Sequence, residues 1–407
     1  MADGTGGAQR SRRLESIDAL RGIVMILMAL DHVRDYVGVP ANPTDPATAS
    51  VALFFTRWVT HLCAPTFFLL TGVGAWLRGH RGTVPREIKG DSSLRRELSW
   101  FLLTRGAWLI VLELTVVRCL GYQFNFDYRV TMLVILWALG WAMIVLAGLV
   151  YLPTPAVMAF GVVLIALHDL FDPVTAASLG AFGPIWLILH APGVVIARPE
   201  FVVFVAYPIV PWIGVTAAGY GLGQVFGWVP GRRRRFLLTL GLTLSVGFLV
   251  LRAINGYGNP LPWTVQLTGV RTVLSFLNAN KYPPSLLYLL MTLGPATLIL
   301  WMLDAATPRW MRAALVFGRV PLFYFLLHLP LIHLLAVGAC YARYGVVHWM
   351  FESPSLDKYP VTFPPGWGYE LAGVYLVWII VVVSLYPLCR WFADVRRQRS
   401  DWWLSYL

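Results

Sequence analysis

Charged side chains are scarce in this chain. Asp, Glu, Lys and Arg make up 13% of its 407 residues, against about 25% in soluble globular proteins. With 58% hydrophobic residues, that shortage excludes a disordered chain and an ordinary soluble enzyme. Cysteine is nearly missing. Cys63, Cys119, Cys340 and Cys389 stand far apart, which excludes a disulfide scaffold and the close spacings of metal or redox motifs. All four are expected as free thiols in membrane segments. No phosphate-loop or dinucleotide-binding glycine pattern occurs, and no clear repeat or soluble domain, which argues against an ATP-driven pump. No His/Asp/Glu spacing makes a firm metal site. What abounds is apolar and aromatic: 18 Trp, 17 Tyr and 22 Phe, with a mean hydropathy of +0.66. That composition suits a multi-pass membrane protein with aromatic belts. The net charge of +12 then reports Arg-rich cytoplasmic loops rather than nucleic-acid binding.

A spanning helix needs about 20 mostly apolar residues. Candidates lie at 17–38, 54–77, 98–117, 130–151, 155–171, 201–228, 236–254, 283–304, 313–340 and 370–391. A further apolar stretch, 182–197, is short and carries Gly183, Pro184, Pro192 and Gly193. The positions of Arg and Lys decide its reading. With ten spans, the tail of Arg10, Arg12 and Arg13, the loop from Arg78 to Arg96, the run Arg232 to Arg235, the pair Arg309 and Arg312, and the terminal group Arg390 to Arg399 all fall on one side. An eleventh span at 182–197 would put the Arg232 run and the Arg309 pair on the wrong side. The positive-inside rule therefore favours an all-α bundle of about ten transmembrane helices, with eleven as the runner-up. Both termini are then cytoplasmic, and 182–197 is an outer re-entrant or surface hairpin. The first apolar segment is expected to act as an uncleaved anchor in the inner membrane. The chain divides into a disordered tail at 1–13, a transmembrane domain at 14–395 and a second tail at 396–407.

Ionisable residues within spans are costly and mark function by default. The first span holds Asp18, Arg21, Asp31, His32, Arg34 and Asp35. Arg21 and His32 are eleven residues apart, close to three full turns, so they share a face at a separation of about 16 Å. Asp18, Met25, Met28 and Asp35 share that stripe and Asp31 sits beside it. The alternative for Asp18 and Arg21 is helix-start chemistry, a cap and an interfacial anchor. The alternative for Asp31 and His32 is a satisfied polar pair joining two helices. The second span adds Arg57, Thr60 and His61. Arg57 and His61 are four apart and share a face. The joining loop is short, so the two helices are antiparallel neighbours, with His32 and His61 each about 10 Å deep from the outer surface. Two histidines, paired aspartates and an arginine at one depth suit a catalytic chamber. Further along, His328 and His333 flank Pro330, Tyr207 to Trp212 carries two prolines that suggest a broken helix lining a cavity, and Lys281 precedes the eighth span. His328 either faces the chamber or bonds backbone freed by Pro330. Lys281 either meets an acceptor or snorkels. Glu113 is an intramembrane carboxylate without an obvious partner.

Arg21, ten residues and then His32 match the arginine-x10-histidine motif of transmembrane acyltransferases. The wider string from Leu14 to Ile23, together with Phe54 to Pro65, Tyr207 to Gly214, Lys281 to Pro284 and Phe317 to His328, resembles the bacterial heparan-alpha-glucosaminide N-acetyltransferase-like group of that superfamily. The resemblance runs from about residue 14 to about residue 390. It departs from the lysosomal branch at His32, so the role of His32 rests on the broader superfamily motif.

The resemblance implies a membrane enzyme that takes an acyl group, acetyl first of all, from cytoplasmic acyl-CoA. The group goes to a glycan or other envelope acceptor on the far side. In this reading His32 is the general base, Asp31 or Asp35 orients it, and His61 is a second base or an oxyanion donor. Arg21, with Asp18 and Arg57, holds the CoA end, helped by the basic 78–97 loop. His328 and Lys281 face the acceptor. No metal and no nucleic acid are expected, and a homo-oligomer is left open. The rival class is a proton-coupled transporter, which also uses buried charges and broken helices. A carrier strings charges along a path, whereas here they cluster at one depth.

Overall fold

The first helix carries more charge than a lipid-facing helix tolerates, so the fold surrounds it with protein. In the computed structural model, which describes residues 4–80, 91–308, 311–356 and 360–407, helix α1 (Gly4–Val37) is the hub of the bundle. Along it Ala19, Leu20, Val24, Ala29, Val33 and Tyr36 are buried. It packs against α3 (Cys63–Gly79), α11 (Leu286–Ala305), α12 (Arg312–Arg319), α13 (Pro321–Tyr344) and α14 (Leu371–Gln398). The α1–α12 crossing is the tightest. A Cβ on Gly22 would stand 1.8 Å from the Ala314 carbonyl oxygen, and one on Gly318 would stand 1.7 Å from that of Asp18. Both positions need glycine because backbone meets backbone there.

Eight helical stretches among the described residues are long and apolar enough to cross a membrane. They match eight of the expected spans. Helix α1 is the ninth in position, too charged to count by composition. A shorter helix, α5 (Ile135–Leu149), stands at the tenth. The rest of the bundle is α2 (Val51–Thr60), α4 (Asp91–Leu112), α6 (Thr154–Leu167), α8 (Ile209–Gly223), α9 (Pro230–Ile254) and the short amphipathic α10 (Gly269–Leu277).

Two expected spans begin as strands. Strand β1 (Val130–Leu133) precedes α5, and β3 (Phe201–Val205) precedes α8. The stretch 182–197 becomes helix α7 (Gly183–Leu189) and most of strand β2 (Gly193–Arg198). The sheet order is β1-β3-β2, with β1 parallel to β3 (Val130 opposite Val202) and β2 antiparallel to it. The run Val202-Val203-Phe204-Val205 is β-branched and aromatic, which suits a strand, and Pro208 caps α8 from outside. The stretch 182–197 is thus a hairpin element and not an eleventh span.

Side chains secure the irregular backbone. Helix α4 continues as a π-helix, Glu113–Tyr122. Glu113 Oε2 accepts the Leu136 N–H at 2.8 Å, so this carboxylate serves the start of α5. It therefore has the partner the sequence left unnamed. Arg233, one of the basic run after the sixth span, is buried against Asp304 at 3.0 Å and ties α9 to α11. His333 bonds the Met350 carbonyl at 2.7 Å and stacks on Phe124 at 3.8 Å between ring centroids. All four cysteines are free and buried.

Candidate active site

The polar stripe of α1 divides between two cavities. The larger, of about 820 Å³, is lined by Asp18, Arg21, Met25 and Met28, and by Arg78, Arg105, Arg319 and Arg396 from four other segments. The smaller, of about 330 Å³, is lined by Met28, Asp31, His32 and Asp35, and by Arg57, Thr60, Cys63, Tyr207, Lys281 and Tyr282. Among the described residues, Met28 and Ile135 are common to both linings. Both volumes fall in the usual range of small-molecule sites, about 300–1,000 Å³.

In the larger cavity, Arg21 Nη1 donates to Asp18 Oδ1 at 2.9 Å and to the Gly318 carbonyl at 3.1 Å. The second bond depends on the glycine crossing, which brings α12 backbone to the foot of α1. Arg396 Nη1 donates to the Arg319 carbonyl at 2.7 Å. Arg105 donates to the Ser405 carbonyl, and Thr104 Oγ1 bonds Tyr406 Oη at 2.7 Å. The last residues thereby dock on α4 beside the cavity. Five arginines against Asp18 and Glu97 make this lining cationic, as phosphate groups require. Of the basic loop expected to help, Arg78 is on the lining, while Arg81, Arg86 and Lys89 lie outside the described residues.

In the smaller cavity Asp31 is the charged hub. Its Oδ1 takes Arg34 Nη1 at 2.8 Å and the Thr60 hydroxyl at 2.9 Å. Its Oδ2 takes Arg57. Arg34 also pairs with Asp35 at 2.5 Å. This network crosses from α1 to α2 and has a positive partner for each carboxylate, which a low-dielectric site demands.

His32 has a different partner. Its Nδ1 lies 2.7 Å from His328 Nε2, and the rings stack at 5.0 Å. His328 Nδ1 lies 2.7 Å from the Phe325 carbonyl oxygen. A carbonyl oxygen only accepts, so His328 Nδ1 carries a hydrogen and its Nε2, in the neutral ring, accepts. His32 therefore donates through Nδ1, and its Nε2 keeps the lone pair. The tautomers follow from the hydrogen-bond network. Pro330 frees the carbonyl of Leu326, not those of Tyr324 and Phe325, which lie 3.2 and 2.7 Å from His328 Nδ1.

The structure thus brings Asp31, His32, Asp35, Arg57 and Lys281 to one cavity and Asp18 and Arg21 to another. Arg57 stands with the histidine, not with Arg21. His328 is fully buried behind His32 and is on neither lining. His61 is also on neither lining. Its ring meets Tyr288 edge-on at 5.3 Å, and its carbonyl accepts from Tyr288 Oη at 3.0 Å. The sequence reading missed Arg105 and Arg396 as wall residues of the larger cavity and Ile135 as a wall of both. Arg105 had a signal, since it is an arginine inside an expected span. Ile135 had none.

Residues 13–251, more than half of the chain, match the family described as Heparan-alpha-glucosaminide N-acetyltransferase, catalytic. No curated protein gives a significant match to the chain.

Proposed function

The chain belongs to the heparan-alpha-glucosaminide N-acetyltransferase catalytic family, and from that premise we propose that it moves an acyl group across the membrane interior. Acyl-CoA, with acetyl as the group carried, enters the larger cavity from the cytoplasm. Arg21, Arg78, Arg105, Arg319 and Arg396 meet its phosphates. The acceptor is a hydroxyl or amine of a glycan or other envelope molecule, held in the smaller cavity on the far side. Both termini are cytoplasmic, and the membrane is the plasma membrane.

The neutral His32–His328 pair carries this reading. Behind His32, a chain of two hydrogen bonds ends on a backbone carbonyl and keeps His32 Nε2 unprotonated. As the acceptor oxygen or nitrogen attacks the thioester carbon, its proton passes to Nε2. The new C–O or C–N bond forms, the C–S bond breaks, and the CoA sulfur leaves with the proton that His32 took up. Lys281, on the cavity wall above Tyr282, contacts the acceptor or the developing oxyanion. Asp31 holds Arg34, Arg57 and Thr60 in place and so shapes the cavity. Asp35 acts through Arg34.

The test is binding of labelled acetyl-CoA to purified protein in detergent, with Arg21→Ala and His32→Ala beside wild type. Saturable binding weakened about tenfold or more in Arg21→Ala and kept in His32→Ala supports the two roles. Folded wild-type protein that binds neither acetyl-CoA nor longer acyl-CoAs overturns the assignment.

A further inference from the structure

Two residues line both cavities, and they differ in kind. Ile135 is the first residue of α5, and the next N–H, of Leu136, is held by Glu113 at 2.8 Å. A β-branched side chain on a pinned helix start has little freedom to move. Met28 is the other shared wall. It is unbranched with three rotatable bonds, so it changes shape without backbone motion. It is also four residues before His32 on α1, on the same face and about 6 Å nearer to Arg21. Met28 thus stands between Arg21 and His32 along α1 and lines both cavities.

We infer that Met28, with Ile135, forms the neck through which the sulfur-bearing arm of the donor passes, and that Met28 sets the size of acyl group admitted to the His32 cavity. The inference rests on the acyl-transfer reading and adds a specificity residue to it. Met28 does not exchange protons or hold phosphate. It is a movable wall facing one that is fixed.

A disulfide capture tests the neck without knowledge of the acceptor. The parent carries His32→Cys and Cys63→Ala, leaving one thiol on the smaller cavity. The remaining cysteines, Cys119, Cys340 and Cys389, are on neither lining. The probe is the 2-pyridyl disulfide of CoA. The introduced thiol attacks the CoA sulfur, pyridine-2-thione leaves with the electron pair and proton, and a protein–CoA disulfide is read by mass. The expected result is capture at position 32 that saturates with probe and is competed by acetyl-CoA. Added Met28→Phe should slow capture by about tenfold or more while labelled CoA still binds within about twofold, and Met28→Leu should behave as the parent. With His32 intact and hydroxylamine as acceptor, Met28→Ala should shift the rate ratio of octanoyl-CoA to acetyl-CoA upward by about fivefold or more. Failure of CoA to bind at all overturns the acyl-transfer reading. Binding without capture in the parent, capture unchanged by Met28→Phe, or an unchanged octanoyl-to-acetyl ratio overturns the neck while leaving that reading standing.

Discussion

Replacing His328 by leucine removes the group that fixes the proton on His32 without touching either cavity wall. The His32 Nδ1–H then loses a bond of 2.7 Å. A lost hydrogen bond costs about 1 kcal/mol, and a buried donor left unpaired costs about 1–3 kcal/mol. His32 escapes that cost by moving its hydrogen to Nε2, which disables the base. The barrier rises by about 1–3 kcal/mol, a loss of about 5-fold to 150-fold in kcat. This stays under the 10²–10⁴-fold that general-base catalysis as a whole supplies. The assay is CoA thiol release from acetyl-CoA with hydroxylamine as surrogate acceptor, corrected for the uncatalysed reaction. KM for acetyl-CoA should hold, because His328 is on neither lining. His328→Gln offers an amide oxygen to Nδ1–H and should recover part of the rate. Wild-type kcat in His328→Leu, or a loss confined to KM, refutes the relay.

Other outcomes follow from the same geometry. Asp31→Asn leaves Arg34 and Arg57 without their shared carboxylate. Thermal unfolding in detergent should show a loss of about 3–5 kcal/mol, and unchanged stability would show that the network is idle. Gly318→Ala drives a methyl into the Asp18 carbonyl. It should lower the unfolding temperature and weaken acetyl-CoA binding together, since the Arg21 bond to residue 318 moves with the crossing. Binding kept at reduced stability would separate the two. Asp127 lies outside the spanning helices. Partial burial raises its pKa, but bonds from Ser353 at 2.5 Å, the Arg129 N–H at 3.1 Å and Arg118 at 3.3 Å outweigh it and hold the carboxyl below its usual range. A lowered folded-state value means stability present near neutral pH and lost as pH falls below about 4. Asp127→Asn should flatten that acid limb of an unfolding-temperature profile, and an unchanged limb would exclude this carboxylate as its source.

The stripe on α1 was legible because helical periodicity is rigid. Eleven residues return to the same face whatever surrounds the helix. The structure accordingly sorts Asp18 and Arg21 to one cavity and Asp31 and His32 to the other. The hairpin at 182–197 was legible from charge, because a further span inverted the arginine clusters. The strands were not. Apolar runs of strand length and the ends of buried helices look alike without their partners, and β1 meets β3 across about seventy residues of chain. The partner of His32 was also hidden. His328 is 296 residues away, and a neighbouring aspartate is the nearer guess from sequence. That aspartate faces two arginines instead, because adjacent residues on a helix point about 100° apart.

The proposed neck and a carrier make opposite mechanical demands on α1. A carrier must expose one site to each side in turn, which requires a rigid body to rock. Here the two cavities share one helix, and that helix is packed on six others. At its foot the backbone of α1 touches the backbone of α12 through Gly22 and Gly318, with no side chains between to slide. Towards its C-terminal end Asp31 joins it to Arg57 of α2. Rocking α1 against its neighbours would break a tight crossing and a buried charge network in one motion. Transfer through the neck requires neither. In the proposed transfer only the side chain of Met28 swings, and both ends of α1 stay fixed. A disulfide between α1 and α12 tests this directly. Cysteines at Gly22 and Gly318, in a cysteine-free background, place their Cβ atoms where the backbones already meet, so steric strain would confound them. A flanking pair of positions on α1 and α12 whose Cα atoms lie within about 7 Å is the better one to try. If cross-linked protein keeps its acetyl-CoA-dependent rate within about twofold, α1 need not rock. If the rate vanishes on oxidation and returns on reduction, motion at this crossing is part of the cycle and the fixed-helix argument falls.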